Sequence, residues 1–220
     1  MNVVVEGPTE ESFVGNVLAA VLWPRQVYLK PIILGSPGHK GGNPNYARVR
    51  KDIVTLLKQD RAAYCSTMID FYGLGRGFPG TPLPENLSSL DKVRQIEQGV
   101  KADVAAELPD LRADIRLLPY LQLHEYEGLL FSDPQAFASG IGQQHLVGHF
   151  QAIRSAFPTP EDINDNLNTA PSKRVVDAYR AYSKPIDGLR GAQAVGVHRM
   201  REECPHFRQW VEQLEALAED

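Results

Sequence analysis

The chain has 220 residues and a formal net charge of -4. That length supports one large domain with a core, and the charge excludes a protein that coats nucleic acid through bulk positive charge. Its 2 cysteines, Cys65 and Cys204, supply neither a disulfide framework nor a CxxC zinc pair, no run approaches the roughly 20 apolar residues of a membrane span, and no signal-peptide pattern opens the chain. The expectation is a reduced, cytoplasmic protein without membrane contact.

The first strand is predicted over residues 2–5, where β-branched residues run directly into Glu6 and Gly7. Pro8 and Thr9 then open a helix whose apolar positions Phe13, Val17, Leu18, Val21 and Leu22 recur at helical spacing. A strand over 27–34 carries Pro31, which assigns it to a sheet edge or a bulge. A helix over 46–60 follows through Val49, Ile53, Leu56 and Leu57, and the third strand ends at Asp70. A loop rich in Gly and Pro over 73–86, a helix from Ser89 to Glu107 and a fourth strand over 114–123 complete the alternation. Alternating strands and helices predict an α/β fold with a mostly parallel four-stranded sheet flanked by helices, because parallel neighbours need crossover connections. After Glu125 the pattern turns helical, near 125–131, 143–156, 172–183 and 205–218. This predicts a core over 1–135 and a helical C-terminal cap over 136–220 on the same domain.

Three acidic segments carry the chemistry. In VVVEGPTEE, Glu6 ends an apolar strand and Glu10 stands one helical turn later; in CSTMIDFYG, Asp70 ends another strand. Ligands of open α/β sheets collect where strands end. Carboxylates there are the oxygen ligands that Mg²⁺ or Mn²⁺ takes together with water and substrate phosphate. Glu10 also suits the simpler role of an acid at a helix N-terminus. The third segment, HEYEGLLFSDP at 124–134, offers His124, Glu125, Glu127 and Asp133. Glu125 and Glu127 point differently on a helix, so one of them is expected to reach the metal while His124 is an orienting neighbour. Asp133 before Pro134 reads as a helix cap.

Basic residues fall in two places. PSKRV at 171–175 holds Lys173 and Arg174, and the loop and helix over 35–52 hold His39, Lys40, Arg48, Arg50 and Lys51 beside flexible glycines. Either set can meet phosphate or stand as a solvated face. Gly75, Gly77 and Gly80 have GxGxxG spacing, but Pro79, Pro82 and Pro84 delay the next helix, so a dinucleotide site is rejected in favour of a loop that approaches or gates the metal. His145 and His149 share helical spacing without the Glu of HExxH or a third ligand, which rejects zinc.

Taken in order, VVVEGPTEE, MIDFYG, HEYEGLLFSDP and PSKRV resemble a TOPRIM-like family of bacterial proteins often encoded beside AAA-type ATPases, related to the TOPRIM nuclease domains of the OLD (overcoming lysogenization defect) family. The resemblance implies a TOPRIM-like sheet and a Mg²⁺- or Mn²⁺-dependent nuclease acting on nucleic acid, DNA ahead of RNA, with a role in phage defence or DNA processing. Glu6, Asp70 and Glu127 would be metal ligands, Glu10 and Glu125 further ligands or water-positioning bases, and Lys173 the cation that steadies phosphate charge. Lys40, Arg48, Lys51 and Arg174 would contact nucleic acid. It also implies an AAA-type ATPase partner and leaves a homodimer open. One departure stands out: Tyr72 replaces the second acid of Asp-x-Asp, and a phenol is a poor Mg²⁺ ligand. A non-catalytic module of an ATPase is therefore the competing expectation.

Overall fold

A computed structural model describes residues 1–35, 41, 42, 44–164 and 169–218. The chain divides into two compact units, one formed by Met1–Val14 and Tyr28–Gln122, the other by Gly15–Val27 and Leu123–Asp220.

The first unit is an α/β sheet. Strand β1, Asn2–Val5, has three valines fully buried, as a strand covered on both faces requires. Helix α1, Pro8–Phe13, follows it at once. The helical run expected over 8–22 then changes pitch: a π-turn over Val14–Leu18 and helix α2, Ala19–Leu22, continue it. Strand β2, Lys30–Ile33, is an edge strand, the position that Pro31 demands. Helix α3, Tyr46–Gln59, leads to strand β3, Cys65–Asp70, and helix α4, Ser89–Glu107, comes after the Gly/Pro loop.

The expected fourth strand over 114–123 is corrected. Residues Ala113–Arg116 form a short helix, α5, and the remainder splits into β4, Leu117–Leu118, and β5, Leu121–Gln122. Pro119 between them has no N–H to give to a ladder. Side chains of β3 bridge the gap instead. The Thr67 hydroxyl donates to the Tyr120 carbonyl at 2.8 Å and accepts from the Tyr120 N–H at 2.9 Å, and the Ser66 hydroxyl donates to the Leu118 carbonyl at 2.5 Å. The result is a parallel, five-stranded sheet in the order β2-β1-β3-β4, with β5 also on β3, compatible with a TOPRIM-like α/β fold.

Helices α3 and α4 are joined by a polar clamp. Tyr46 donates to Asp103 at 2.5 Å, Arg50 pairs with Asp103 and Glu107 at 2.7 Å each, and Lys58 reaches Glu107 at 3.2 Å. The Gly/Pro loop lies partly on α4, since a Cβ at Gly99 would stand 2.9 Å from Pro79 and one at Gly80 3.2 Å from Gln95.

The second unit is helical: α2, then α6, Glu127–Leu130; α7, Pro134–Gly140; α8, Val147–Ser155; α9, Pro171–Ala178; α10, Lys184–Val195; α11, Val197–Glu203; and α12, Pro205–Ala216. Asp133 caps α7 by accepting from the Ala136 N–H at 2.9 Å, as the sequence indicates. Helix α10 was unexpected because Gly188 and Gly191 depress helix propensity. Those glycines permit close packing: a Cβ at Gly191 would lie 2.7 Å from the Phe137 ring, and one at Gly140 2.6 Å from Ala194. Phe137 in turn stacks on Phe150 at 4.9 Å and meets Phe131 edge-on at 5.6 Å.

Helices α9 and α12 begin with proline after Ala170 and Cys204, residues with no capping side chain. Distant acids supply the caps. Glu125 accepts from the Ser172 N–H at 2.9 Å, and Glu161 accepts from the His206 and Phe207 N–H groups at 2.9 and 2.8 Å. No helix among the described residues is long and apolar enough to cross a membrane.

Candidate functional site

Strand order places the first acids together. The chain goes from β1 to β2 on one side and then to β3 on the other, so β1 and β3 flank a topological switch point, where open α/β sheets take their ligands. The parallel register pairs Val5 with Met68, so Glu6 follows the carboxyl end of β1 while Asp70 is the last residue of β3, one register step further along. Both are half-buried. After Asp70 the 3₁₀ turn Phe71–Gly73 folds back over Glu6: a Cβ on Gly73 would stand 2.9 Å from Glu6 Oε2 and 3.3 Å from Oε1. Glycine is thus what lets the backbone approach this carboxylate.

Glu10 lies in the same unit, buried, with Oε2 accepting from the Gly7 N–H at 3.0 Å. This is the helix-start role that the sequence left open beside metal binding. Tyr72, in place of a second acid, is 37% exposed and rests against Phe71. Among the described residues no three His, Cys, Asp or Glu side chains are grouped to hold a metal. The donors therefore do not make a closed cage. Glu6 and Asp70 are carboxylates, the ligand type that Mg²⁺ takes one or two of and completes with water and substrate phosphate.

The HEYEG segment belongs to the second unit. His124, at φ 61, is buried and faces the Asn164 amide through Nδ1 at 3.0 Å. Burial lowers its pKa, although Asp162 and Glu125 oppose the shift, so a neutral ring accepting at Nδ1 matches the geometry. Tyr126 donates to the Gly188 carbonyl at 3.0 Å, and Glu125 caps α9 as described.

Glu127 is the most enclosed acid of the segment, with no exposed surface. Its Oε2 faces the Lys184 ammonium at 3.2 Å, and its Oε1 is buried without a hydrogen-bond partner. Burial raises this carboxyl above the usual range; Lys184 pulls it back and Glu125 adds to the rise. The folded state therefore holds its proton at pH values where the unfolded chain, ionising near 4.5, has lost it. That contribution to stability is complete below about pH 4.5 and is lost as pH rises through the folded pKa. Glu127→Gln should accordingly give a melting temperature that declines less than wild type as pH increases above 4.5, and parallel curves would contradict this.

The remaining sequence-selected residues fall apart from one another. Lys173 is exposed on α9. Arg174 donates to the Thr169 carbonyl at 2.7 Å and lies 5.2 Å above the Phe157 ring, a packing role. Arg48 ties its own loop, donating to the Gly42 carbonyl at 2.6 Å and to that of Gly41 at 3.3 Å. Lys51 is exposed on α3, and His39 and Lys40 lie outside the described residues. His145 and His149 are exposed, and neither belongs to a metal-ligand group among the described residues. Burial pushes the Cys65 thiol up to about 12, which leaves it inert. Gly73 and Lys184 were not selected from the sequence. Gly73 directly follows the Asp70 turn, a signal that was available, whereas the pairing of Lys184 with Glu127 spans 57 residues and left no local trace.

Fold and site together define an α/β protein with a parallel sheet and two acids at its switch point. The chain belongs to the family described as Domain of unknown function (DUF4276), which matches residues 5–215. No curated protein and no solved structure matches it.

Proposed function

We propose that this protein is a Mg²⁺- or Mn²⁺-dependent nuclease that hydrolyses phosphodiester bonds in nucleic acid. The observation that carries the reading is the placement of Glu6 directly after β1 and of Asp70 as the last residue of the adjacent β3, at the switch point of the sheet. Glu6 and Asp70 hold the cation, and Glu10 steadies the start of α1 beside them. A bound divalent cation would supply charge neutralisation at the phosphate and an acidified water. The Gly73 turn keeps the Glu6 carboxylate in place, so Gly73→Ala is expected to displace it and to lower the cleavage rate on the order of 10²-fold with little change in melting temperature. Wild-type rates in that variant would remove the turn from the site.

The direct test incubates the purified chain with supercoiled plasmid, linear duplex, single-stranded DNA and RNA under Mg²⁺, Mn²⁺ or chelator, with Glu6→Gln alongside. Cleavage that requires metal and Glu6 supports the reading, and its absence from every substrate rejects it. One observation favours a second reading. Tyr72, exposed where a second acid would stand, suits a module without catalysis that serves an AAA-type ATPase; copurification with such an ATPase, and no cleavage under any metal, would establish it.

A further inference from the structure

The end of the sheet opposite Glu6 and Asp70 carries a different chemistry. There, where β3 and β4 begin, a cavity of about 230 Å³ is lined by Arg61, Tyr64, Asp110, Arg112 and Arg116, among others. Three arginines face one carboxylate, in a chain whose net charge is -4.

Arg116 sets the potential of this cavity. It is 6% exposed, and its guanidinium donates to the carbonyls of Ala63 at 3.0 Å, Leu111 at 3.0 Å, Leu57 at 3.4 Å and also Asp60. All are neutral acceptors. The Asp60 carboxylate is near enough to feel the charge, but it accepts from the Ala62 and Ala63 N–H groups at 2.9 and 3.0 Å and is itself fully solvated. A buried cation with only neutral hydrogen-bond partners is costly to hold, and an anion beside it offsets that cost.

Arg61 and Arg112 also line the cavity, both exposed, and their side chains make no hydrogen bond or ion pair among the described residues. Arg112 sits at φ 50, a left-handed conformation uncommon outside glycine, between the 3₁₀ turn Pro109–Leu111 and α5. Two uncommitted guanidinium forks over a fixed buried charge match the oxygens of a tetrahedral oxyanion. The volume is below the roughly 300–1,000 Å³ of sites for larger ligands, which suits a phosphate group rather than a whole nucleotide.

We infer that this cavity is a binding site for a phosphate group, free or as the monoester end of a small ligand, gripped by Arg61 and Arg112 above the buried Arg116. It is independent of the metal chemistry at the other end of the sheet. The test titrates inorganic phosphate, and separately adenosine monophosphate, into the 220-residue chain in metal-free buffer at constant ionic strength, by calorimetry and by thermal unfolding against chloride. A saturable heat and a rising melting temperature are expected. Binding should weaken about tenfold or more in an Arg61→Ala, Arg112→Asn double variant, Asn being tolerant of the left-handed backbone, and should persist in Arg180→Ala, which removes an exposed arginine of the second unit that does not line the cavity. Arg61→Glu alone must also weaken it, which keeps the test valid if the double variant folds poorly. Equal affinity for both ligands assigns recognition to the phosphate itself, and preference for the nucleotide extends the site beyond the cavity. No saturable binding up to about 10 mM, a range in which even weak sites fill, or binding unaffected by both variants, overturns the inference.

Discussion

Asp70→Asn should lower metal-dependent phosphodiester cleavage by on the order of 10²-fold or more, the usual scale for losing one preorganised electrostatic element of a reactive site. The substitution keeps the shape of the side chain, removes its charge and turns one acceptor oxygen into an NH2 donor. Asp70 is half-buried at the end of β3 and not part of the hydrophobic core, so unfolding free energy should move by no more than about 1 kcal/mol. A variant that melts normally and cleaves normally would show that Asp70 has no part in the chemistry, whereas one that loses both would reflect folding alone. Raising the Mn²⁺ concentration should recover part of the rate, because the defect lies in holding the cation.

Arg116→Ala should destabilise the chain by about 3–5 kcal/mol, the largest stability effect expected of any single substitution outside the hydrophobic core. One guanidinium ties the end of α3 and the loop after it, through Leu57, Asp60 and Ala63, to Leu111 in the turn before α5. Truncation leaves these carbonyls without their donor, and that of Leu57 is buried away from replacing water. Arg116→Lys should recover little, since an ammonium on a straight stem cannot span acceptors arranged around a planar fork. Chemical denaturation reads the difference directly. A loss below about 1 kcal/mol would mean that water enters and satisfies the carbonyls.

The legible part of the fold was the part governed by local pattern. Three valines before Glu6, Pro31 in an edge strand, and the amphipathic helices α3, α4 and α12 all announce themselves through periodicity and punctuation. The break in the fourth strand was not legible, although Pro119 marked it, because the repair comes from the hydroxyls of Ser66 and Thr67 about fifty residues away. Helix α10 was hidden for a related reason. Its glycines count against a helix in isolation and acquire their purpose only against Phe137.

The candidate site divides along the same line. Glu6 and Asp70 could be picked out because an acid ending an apolar strand is a local signal, whereas the strand order that makes β1 and β3 neighbours is set by tertiary pairing and could not be read from the alternation of strands and helices. The HEYEG acids presented the same local signal and have a different setting. Glu125 caps a helix 47 residues later, and Glu127 is enclosed with Lys184. Chemistry-bearing residue types reveal what a position could do; the partners that occupy their atoms are set by tertiary contacts that sequence spacing does not encode.

The most direct measurement is Mn²⁺ binding by electron paramagnetic resonance to the wild-type chain and to a Glu6→Gln, Asp70→Asn double variant, both checked for folding by circular dichroism. Saturable Mn²⁺ binding is expected in the wild type, weakened by about tenfold or more when both carboxylates are neutralised. Undiminished binding in a folded double variant would contradict a metal centre at Glu6 and Asp70.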